Sequence, residues 1–204
     1  MKVKYSDLKN KRVFITGGGS GIGASIVEHF CEQGSEVYFV DIDLKETKKL
    51  LNKIKKNKFK TPTFIECNLL DINKLEKTIK NIIAKKGPIH ALINNAANDD
   101  RHTTDQVDEK YWENRMAINL KHYFFAAKAV VKSMKKMKAG SIVNLSSVSW
   151  MLGEGDKVVY ETAKSAVVGL TRSFAQEYGK YNIRTNSVVP GSIATERQIK
   201  HWLT

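Results

Sequence analysis

The sequence predicts an α/β fold, a doubly wound parallel sheet with helices on both faces, formed as a single domain over residues 1–204. Three observations carry that expectation. Short, nearly continuous apolar runs alternate with amphipathic stretches, the pattern of strands buried on both faces. The chain has 204 residues, 42% of them hydrophobic, enough for one substantial core and too few for two ordinary domains. It contains no internal repeat, low-complexity tract or Pro/Gly linker, and its prolines are Pro62, Pro88 and Pro190.

Each element follows from its period. Residues 12–16 read as a strand, 21–33 as a helix and 36–41 as a second strand. Leu44, Leu50, Leu51 and Ile54 share one helical face, with Asp43 placed to cap it. "TFIEC" (63–67) is a strand, and Ile72, Leu75, Ile79, Ile82 and Ile83 form a second stripe opened by Asp71. "IHALINNAA" (89–97) is the next strand, before one long helix over 108–136. "GSIVNLSS" (140–147), a helix over 157–180 and "IRTNSVVP" (183–190) complete six β/α units. The long helix is apolar almost all round between Met116 and Val131, Tyr123, Phe124 and Phe125 included, so it needs a partner beyond its own sheet. A homo-oligomer is expected.

Composition narrows the function classes. The formal charge is +13, which raises nucleic acid or anionic surfaces as partners. However, the lysines of "LKETKKLLNKIKKNKFK" (44–60) and "KLEKTIKNIIAKK" (74–86) alternate with an apolar stripe, as solvated helix faces do, and no aromatic-interleaved basic motif accompanies them. No nucleic-acid partner is expected. The apolar runs are strand-sized and the first residues lack a signal-peptide core, which points to a cytoplasmic protein without a membrane partner. Cys31 and Cys67 have neither a close pairing nor a His at ligand spacing, so neither a disulfide nor a metal site is expected.

"VFITGGGSGIG" (13–23) runs from a strand through glycines into a helix. Such a turn can present backbone N–H groups and a helix N-terminus to a pyrophosphate, provided side chains do not hold the ligand away. Gly17, Ser20, Gly21, Ile22 and Gly23 are its candidate contacts, spaced unlike the commoner GxGxxG. Asp41 ends the next strand, 24 residues after Gly17. A carboxylate there can accept from both ribose hydroxyls and would repel a 2′-phosphate, favouring NAD over NADP. The plainer alternative, a helix cap, suits Asp43 better.

In "VVYETAKSAV" (158–167), Tyr160 and Lys164 lie at i and i+4 and present their polar ends to one region. A phenol with an ordinary pKa of about 10 is a poor base at neutral pH, and a nearby ammonium favours its charged form. That makes it a usable general acid–base. An ordinary surface pair would show the same spacing, but Ala163, Ser165, Ala166 and Gly169 allow close helix packing. Ser147, at the end of the preceding strand, could donate to a substrate oxygen held near the phenol.

With these residues on the page, the chain resembles the short-chain dehydrogenase/reductase family over almost its whole length. Four motifs coincide in order: "TGGGSGIG" (16–23), "NNAA" (94–97), "NLSSVS" (144–149) before "YETAK" (160–164), and "PGSIAT" (190–195). The resemblance implies a Rossmann-type fold with Tyr160 as acid–base, Lys164 binding the nicotinamide ribose and lowering the tyrosine pKa, Ser147 positioning substrate, and Asn119 supporting a water relay. Spacing to Tyr160 favours Ser147 over Ser146. The resemblance also places the cofactor against Asn68, Leu69, Asn95, Ala96, Pro190, Gly191, Ile193 and Thr195, and implies a homo-oligomer, a tetramer before a dimer.

Three departures stand out. Ala97 replaces a usual glycine and is expected to crowd the backbone. Asn68 replaces a usual aspartate, and its amide still accepts a hydrogen bond. The family continues through more helix and a seventh strand, which this chain does not contain, so an exposed sheet edge is expected.

The substrate is read from the polar "NDDRH" (98–102), from Trp150, and from Gln198 and Trp202 in the segment expected to cover the site. Amides and carboxylates with flanking aromatics suit a polyhydroxylated ring, and Asn98, Trp150, Gln198 and Trp202 join Ser147 and Tyr160 as substrate candidates. "NNAANDDRH", "YWENRMAINLKH" (111–122), "SSVSW" (146–150) and "TERQIKHWLT" (195–204) resemble bacterial NAD-dependent sugar dehydrogenases that oxidise D-xylose and related aldoses at C1 to a lactone. Alternatives stay open: a solvated, salt-bridged loop with His102 exposed, and core or oligomer packing for Trp150 and Trp202. A family member acting on a non-sugar alcohol or ketone, and a non-catalytic nucleotide- or nucleic-acid-binding module, are the competing functions.

Overall fold

The structure, a computed structural model, describes residues 3–202. Its strands are β1 (Arg12–Thr16), β2 (Glu36–Asp41), β3 (Thr63–Glu66), β4 (Ala91–Asn94), β5 (Gly140–Leu145) and β6 (Ile183–Val188). They form one sheet in the order β3-β2-β1-β4-β5-β6, and every pairing is parallel. The chain therefore winds outward to β3, returns past β1 and winds outward again to β6. The crevice between β1 and β4 is the switch point at which open α/β sheets place ligands.

Helices α1 (Gly21–Glu32) and α2 (Leu44–Lys56) cover one face. Val27, Cys31, Leu50 and Ile54 pack there on Val13, Ile15, Val37, Phe39 and Ile93. On the other face, α3 (Ile72–Lys86), α5 (His122–Met137) and α7 (Val158–Tyr178) bring Leu75, Ile79, Val130, Met134 and Phe174 onto Phe14, Val40, Leu92 and Ile142. Caps set the starts of α2 and α3 as expected: Asp43 accepts from Glu46 N at 3.0 Å and Asp71 from Lys74 N at 2.9 Å. β6 forms one edge of the sheet, with Arg184, Asn186 and Val188 exposed.

The long helix expected over 108–136 is interrupted. It consists of α4 (Glu109–Met116), a π-helical turn over Ala117–Lys121, and α5. The wider turn rotates the residues after it, so Asn119, His122 and Tyr123 are all turned inward and buried. Consequently the apolar stretch is not one outward face: Tyr123 lies in the core, Phe125 is half-buried, and Phe124 is 43% exposed.

Candidate active site

A polar tier closes the core beneath the site at the carboxyl ends of the strands. Thr16, Asn94 and Asn144 are register partners across β1, β4 and β5, and all three are buried. Asn94 donates to Asn144 Oδ1 at 2.9 Å, Asn144 donates to Thr171 Oγ1 at 2.9 Å, and Thr16 Oγ1 accepts from Asn95 N and Ala96 N at 3.0 and 3.2 Å. Each buried amide thus has partners that fix the strand ends relative to one another.

Above this tier, the glycine turn is shaped by close approach. Gly17 and Gly21 have φ of +65° and +53°, in the left-handed region that favours glycine. A Cβ on Gly17 would lie 2.8 Å from Ala96, and one on Gly23 would lie 2.6 Å from the Asn95 amide. Asn95 spans the turn by donating to Gly17 O at 2.8 Å. Ser20 occupies the N-cap position of α1, is exposed, and makes no side-chain cap bond, while Ile22 is half-buried. The N–H groups of the first turn of α1 are therefore not met by their cap side chain, as anion binding there requires.

Asp41 sits beside this turn. One carboxylate oxygen accepts from Gly19 N at 2.7 Å, and the other from Ile42 N and Asp43 N at 2.7 and 2.9 Å. Asp41 thus braces the turn. Asn68 is exposed, its Oδ1 accepting from Leu70 N at 3.0 Å, and Leu69 is buried. Ala97 is exposed, which leaves room for the methyl that was expected to crowd the backbone. Pro190 accepts from Val148 N at 3.0 Å, Gly191 and Ile193 are exposed, and Thr195 caps α8 (Glu196–His201) by accepting from Gln198 N at 3.2 Å. The Thr195 methyl lies 3.4 Å from where a Cβ on Gly21 would stand, so this segment reaches the glycine turn.

The two candidate serines diverge. Ser146 is buried and donates to the Lys164 carbonyl at 2.7 Å, tying β5 to α7. Ser147 is half-buried, lies 2.9 Å from Ser149 Oγ, and is near enough to the Tyr160 phenol to favour its charged form. Lys164 is 1% exposed. Its ammonium donates to Leu145 O at 2.7 Å and to the Tyr123 hydroxyl at 2.9 Å, and lies 5.6 Å from the Tyr160 ring centre.

Electrostatics here depart from the expected lowering of the tyrosine pKa. Burial pushes Tyr160 up to about 12; the Ser147 hydroxyl opposes the rise, and the Asp99 and Glu154 charges add to it. Burial also pulls Lys164 down to about 7 against the attraction of Asp99. In the chain by itself, desolvation is the largest influence on each group, and neither is among the influences on the other. Lys164 is aimed at Tyr123 and a carbonyl, so its charge is spent away from the phenol oxygen.

The "NDDRH" loop is bonded throughout. Both groups of the Asn119 amide bond the Asn98 backbone, accepting from its N at 2.8 Å and donating to its O at 3.0 Å, while Asn98 Oδ1 accepts from Asp100 N at 2.9 Å. Asn119 therefore holds the loop to the π turn. Asp99 accepts from Arg197 at 3.3 Å and from Gln198, and Asp100 accepts from Arg115 at 2.9 Å and Arg197 at 2.5 Å. Arg101 pairs with Asp156 and lies 4.7 Å over the Trp202 ring. Trp150 belongs to the short α6 (Ser149–Leu152). The indole N–H groups of Trp150 and Trp202 are buried with no protein partner. Leu203 and Thr204, at the end of the segment read as covering the site, lie outside the described residues.

Three functional neighbours were missed or misread in the sequence. Tyr123, read as part of an apolar face, is fully buried and accepts from Lys164 while donating to Leu145 O at 2.9 Å. His122 is buried with Nε2 3.1 Å from Ala96 O, and desolvation pulls it down to about 3, so it is a neutral strut beneath the fourth-strand loop. His102, left exposed by the solvated-loop reading, is buried. The "HY" pair inside an otherwise apolar run was the available signal for the first two.

Among the described residues, no group of three or more His, Cys, Asp or Glu is placed to hold a metal ion, and no helix is long and apolar enough to cross a membrane. A family model described as short chain dehydrogenase matches residues 11–203. The D-xylose 1-dehydrogenase of Caulobacter vibrioides is 43% identical over 200 residues, 98% of this chain and 78% of that protein. A Rhizobium meliloti protein named "Probable galactose dehydrogenase" is 41% identical over 201 residues, again 98% of this chain and 78% of that protein. The ligand-free structure of Thermoplasma acidophilum aldohexose dehydrogenase superposes with a TM-score of 0.84 at 32% identity, over 96% of this chain and 72% of that one.

Proposed function

Because the chain belongs to the short-chain dehydrogenase family, we propose that it is an NAD-linked oxidoreductase that takes the C1 hydroxyl of a D-xylose-like aldose to a lactone. The observation that carries the sugar reading is the cluster bordering Tyr160. Asp99 is near enough to act on the charges of both Tyr160 and Lys164, and it is bonded by Gln198 from the covering segment. Carboxylate and amide groups suit a ring dense in hydroxyls, whereas a lipid pocket would be lined by apolar groups. The xylose and aldohexose dehydrogenases that the chain resembles support the same choice.

The residues at the switch point fit a nicotinamide dinucleotide: an uncapped helix N-terminus behind a glycine turn, a carboxylate at the end of β2, and the ends of β3, β4 and β6 beyond. When bound, that cofactor supplies the hydride acceptor. Gly17, Ser20, Gly21, Ile22 and Gly23 would hold the pyrophosphate, Asp41 the adenosine ribose, Asn68 and Leu69 the adenine, and Asn95, Ala96, Pro190, Gly191, Ile193 and Thr195 the nicotinamide end. The Asp41 carboxylate favours NAD because it repels a 2′-phosphate.

Tyr160 takes the hydroxyl proton of the substrate, and Ser147 orients the oxygen beside the phenol. Lys164, poised near neutrality at about 7, exchanges protons on the buried side of the tyrosine. Asn119 keeps Asn98 in place through its side chain, so a water relay there would use the second lone pair of Oδ1 or the second N–H. A homo-oligomer, a tetramer before a dimer, belongs to the same reading and is supported by exposed Phe124 beside Phe174 of α7.

The reading is tested by following NADH formation across a panel of aldoses and simple alcohols, with NAD and NADP compared. Turnover is expected with aldopentoses and NAD. Turnover confined to non-sugar alcohols, or preference for NADP, would contradict it.

A further inference from the structure

We propose that His102 is a positioning residue for the reaction, coupling the substrate-side loop to the helix that carries Tyr160. This rests on the reading of Tyr160 as the acid–base. A helix begins with four N–H groups that lack intrahelical partners, and a side chain at its cap position normally meets one of them. The cap residue of α7, Lys157, makes no such bond, and its ammonium is taken up by Glu154. His102 meets the need from a loop 57 residues earlier: its Nε2 accepts from Val159 N at 3.2 Å. Val159 immediately precedes Tyr160.

The ring is held on every side. The residue is 5% exposed, and its backbone N–H donates to Asp156 O at 2.7 Å. Nδ1 lies 3.0 Å from Asp100 O and 2.9 Å from the Tyr111 hydroxyl, while the ring meets Tyr111 edge-on at 5.0 Å. With Nε2 accepting, the proton sits on Nδ1 and is shared between the Asp100 carbonyl and the Tyr111 oxygen. One neutral tautomer satisfies all three contacts. Asp100 is fixed in turn by Arg115 at 2.9 Å, and Arg115 stacks on Tyr111 at 4.9 Å. A continuous bonded path therefore runs from the loop that presents Asp99 to the first turn of α7, whose winding decides where the phenol sits relative to Ser147.

The experiment compares His102→Phe, which retains a planar ring without an acceptor, with His102→Gln, which retains an acceptor and a donor. In His102→Phe, amide hydrogen exchange over residues 157–161 of the cofactor-free protein is expected to quicken about fivefold, the consequence of losing one cap. The rest of α7 should be unchanged. kcat per folded molecule is expected to fall about tenfold through misplacement of the phenol, with the Kd for NAD within about twofold. His102→Gln should restore both readouts to within about threefold. If His102→Phe does not fold, Tyr111→Phe, which removes one partner of Nδ1, should change both in the same direction by about threefold. Unchanged exchange in that turn, or kcat within about twofold of the unaltered protein, overturns the proposal. Exchange needs no turnover, so failure of the Tyr160 reading, seen as retained activity in Tyr160→Phe, is distinguishable from failure of the cap.

Discussion

A half-buried phenol and a buried ammonium are each driven toward neutrality by the loss of water around them. Tyr160 stands at about 12 and Lys164 at about 7 because desolvation is the largest influence on each. Below pH 12 the phenolate fraction rises tenfold per pH unit, and the oxidation requires the phenolate. Thus kcat/KM for oxidation should climb with pH through the alkaline range, and the reverse reduction should decline. A difference titration of phenolate absorbance between the unaltered protein and Tyr160→Phe, without cofactor, should place this tyrosine above its ordinary value; a transition below pH 9 would show that the ammonium dominates. Asp41 invites a second test. Asp41→Asn keeps an oxygen for Gly19 N but removes the charge, so NAD affinity should weaken about tenfold and the margin over NADP should narrow. Equilibrium binding of both dinucleotides decides it. The i,i+4 spacing made Tyr160 and Lys164 legible in the sequence, yet the sign of the pKa shift was not, because burial and the pull of Tyr123 on Lys164 belong to the folded chain.

The glycine turn and the broken helix act at the scale of elements. Gly17 is required twice over, by its φ of +65° and by the nearness of Ala96. Gly17→Ala should therefore destabilise the fold by about 1–3 kcal/mol, read as a lowered urea midpoint with the slope unchanged. An unshifted midpoint would mean that the turn opens without consequence. Glycine was read as a way to admit a ligand; the structure adds that it admits the loop after β4. The π turn at Ala117–Lys121 was not legible, because "MAINLKHYFF" keeps an apolar pattern on either side of the extra residue. Its effect is chemical: it turns Asn119, His122 and Tyr123 toward the site, where Asn119 fixes Asn98 and Tyr123 meets Lys164.

At the scale of the whole molecule, strand positions and the caps Asp43 and Asp71 followed from period and residue type, and the parallel sheet from the apolar continuity of its strands. The polar tier of Thr16, Asn94 and Asn144 did not, since adjacency across strands depends on the order β1-β4-β5. Exposed Phe124, packed against Phe174, and the open surface over Gly169 form a joint face of α5 and α7, the face through which the proposed homo-oligomer would assemble. Phe124→Asp should reduce the sedimenting mass at unchanged circular dichroism, and an unaltered mass would remove this face from the assembly. The central claim is that this sheet delivers a dinucleotide and a sugar hydroxyl to one phenol. It is tested most directly by measuring D-xylose-dependent NADH formation in Tyr160→Phe beside the unaltered protein, with NAD binding measured in both. A loss of about 10²–10⁴-fold in kcat with NAD affinity preserved is predicted; turnover retained within about threefold would contradict the account.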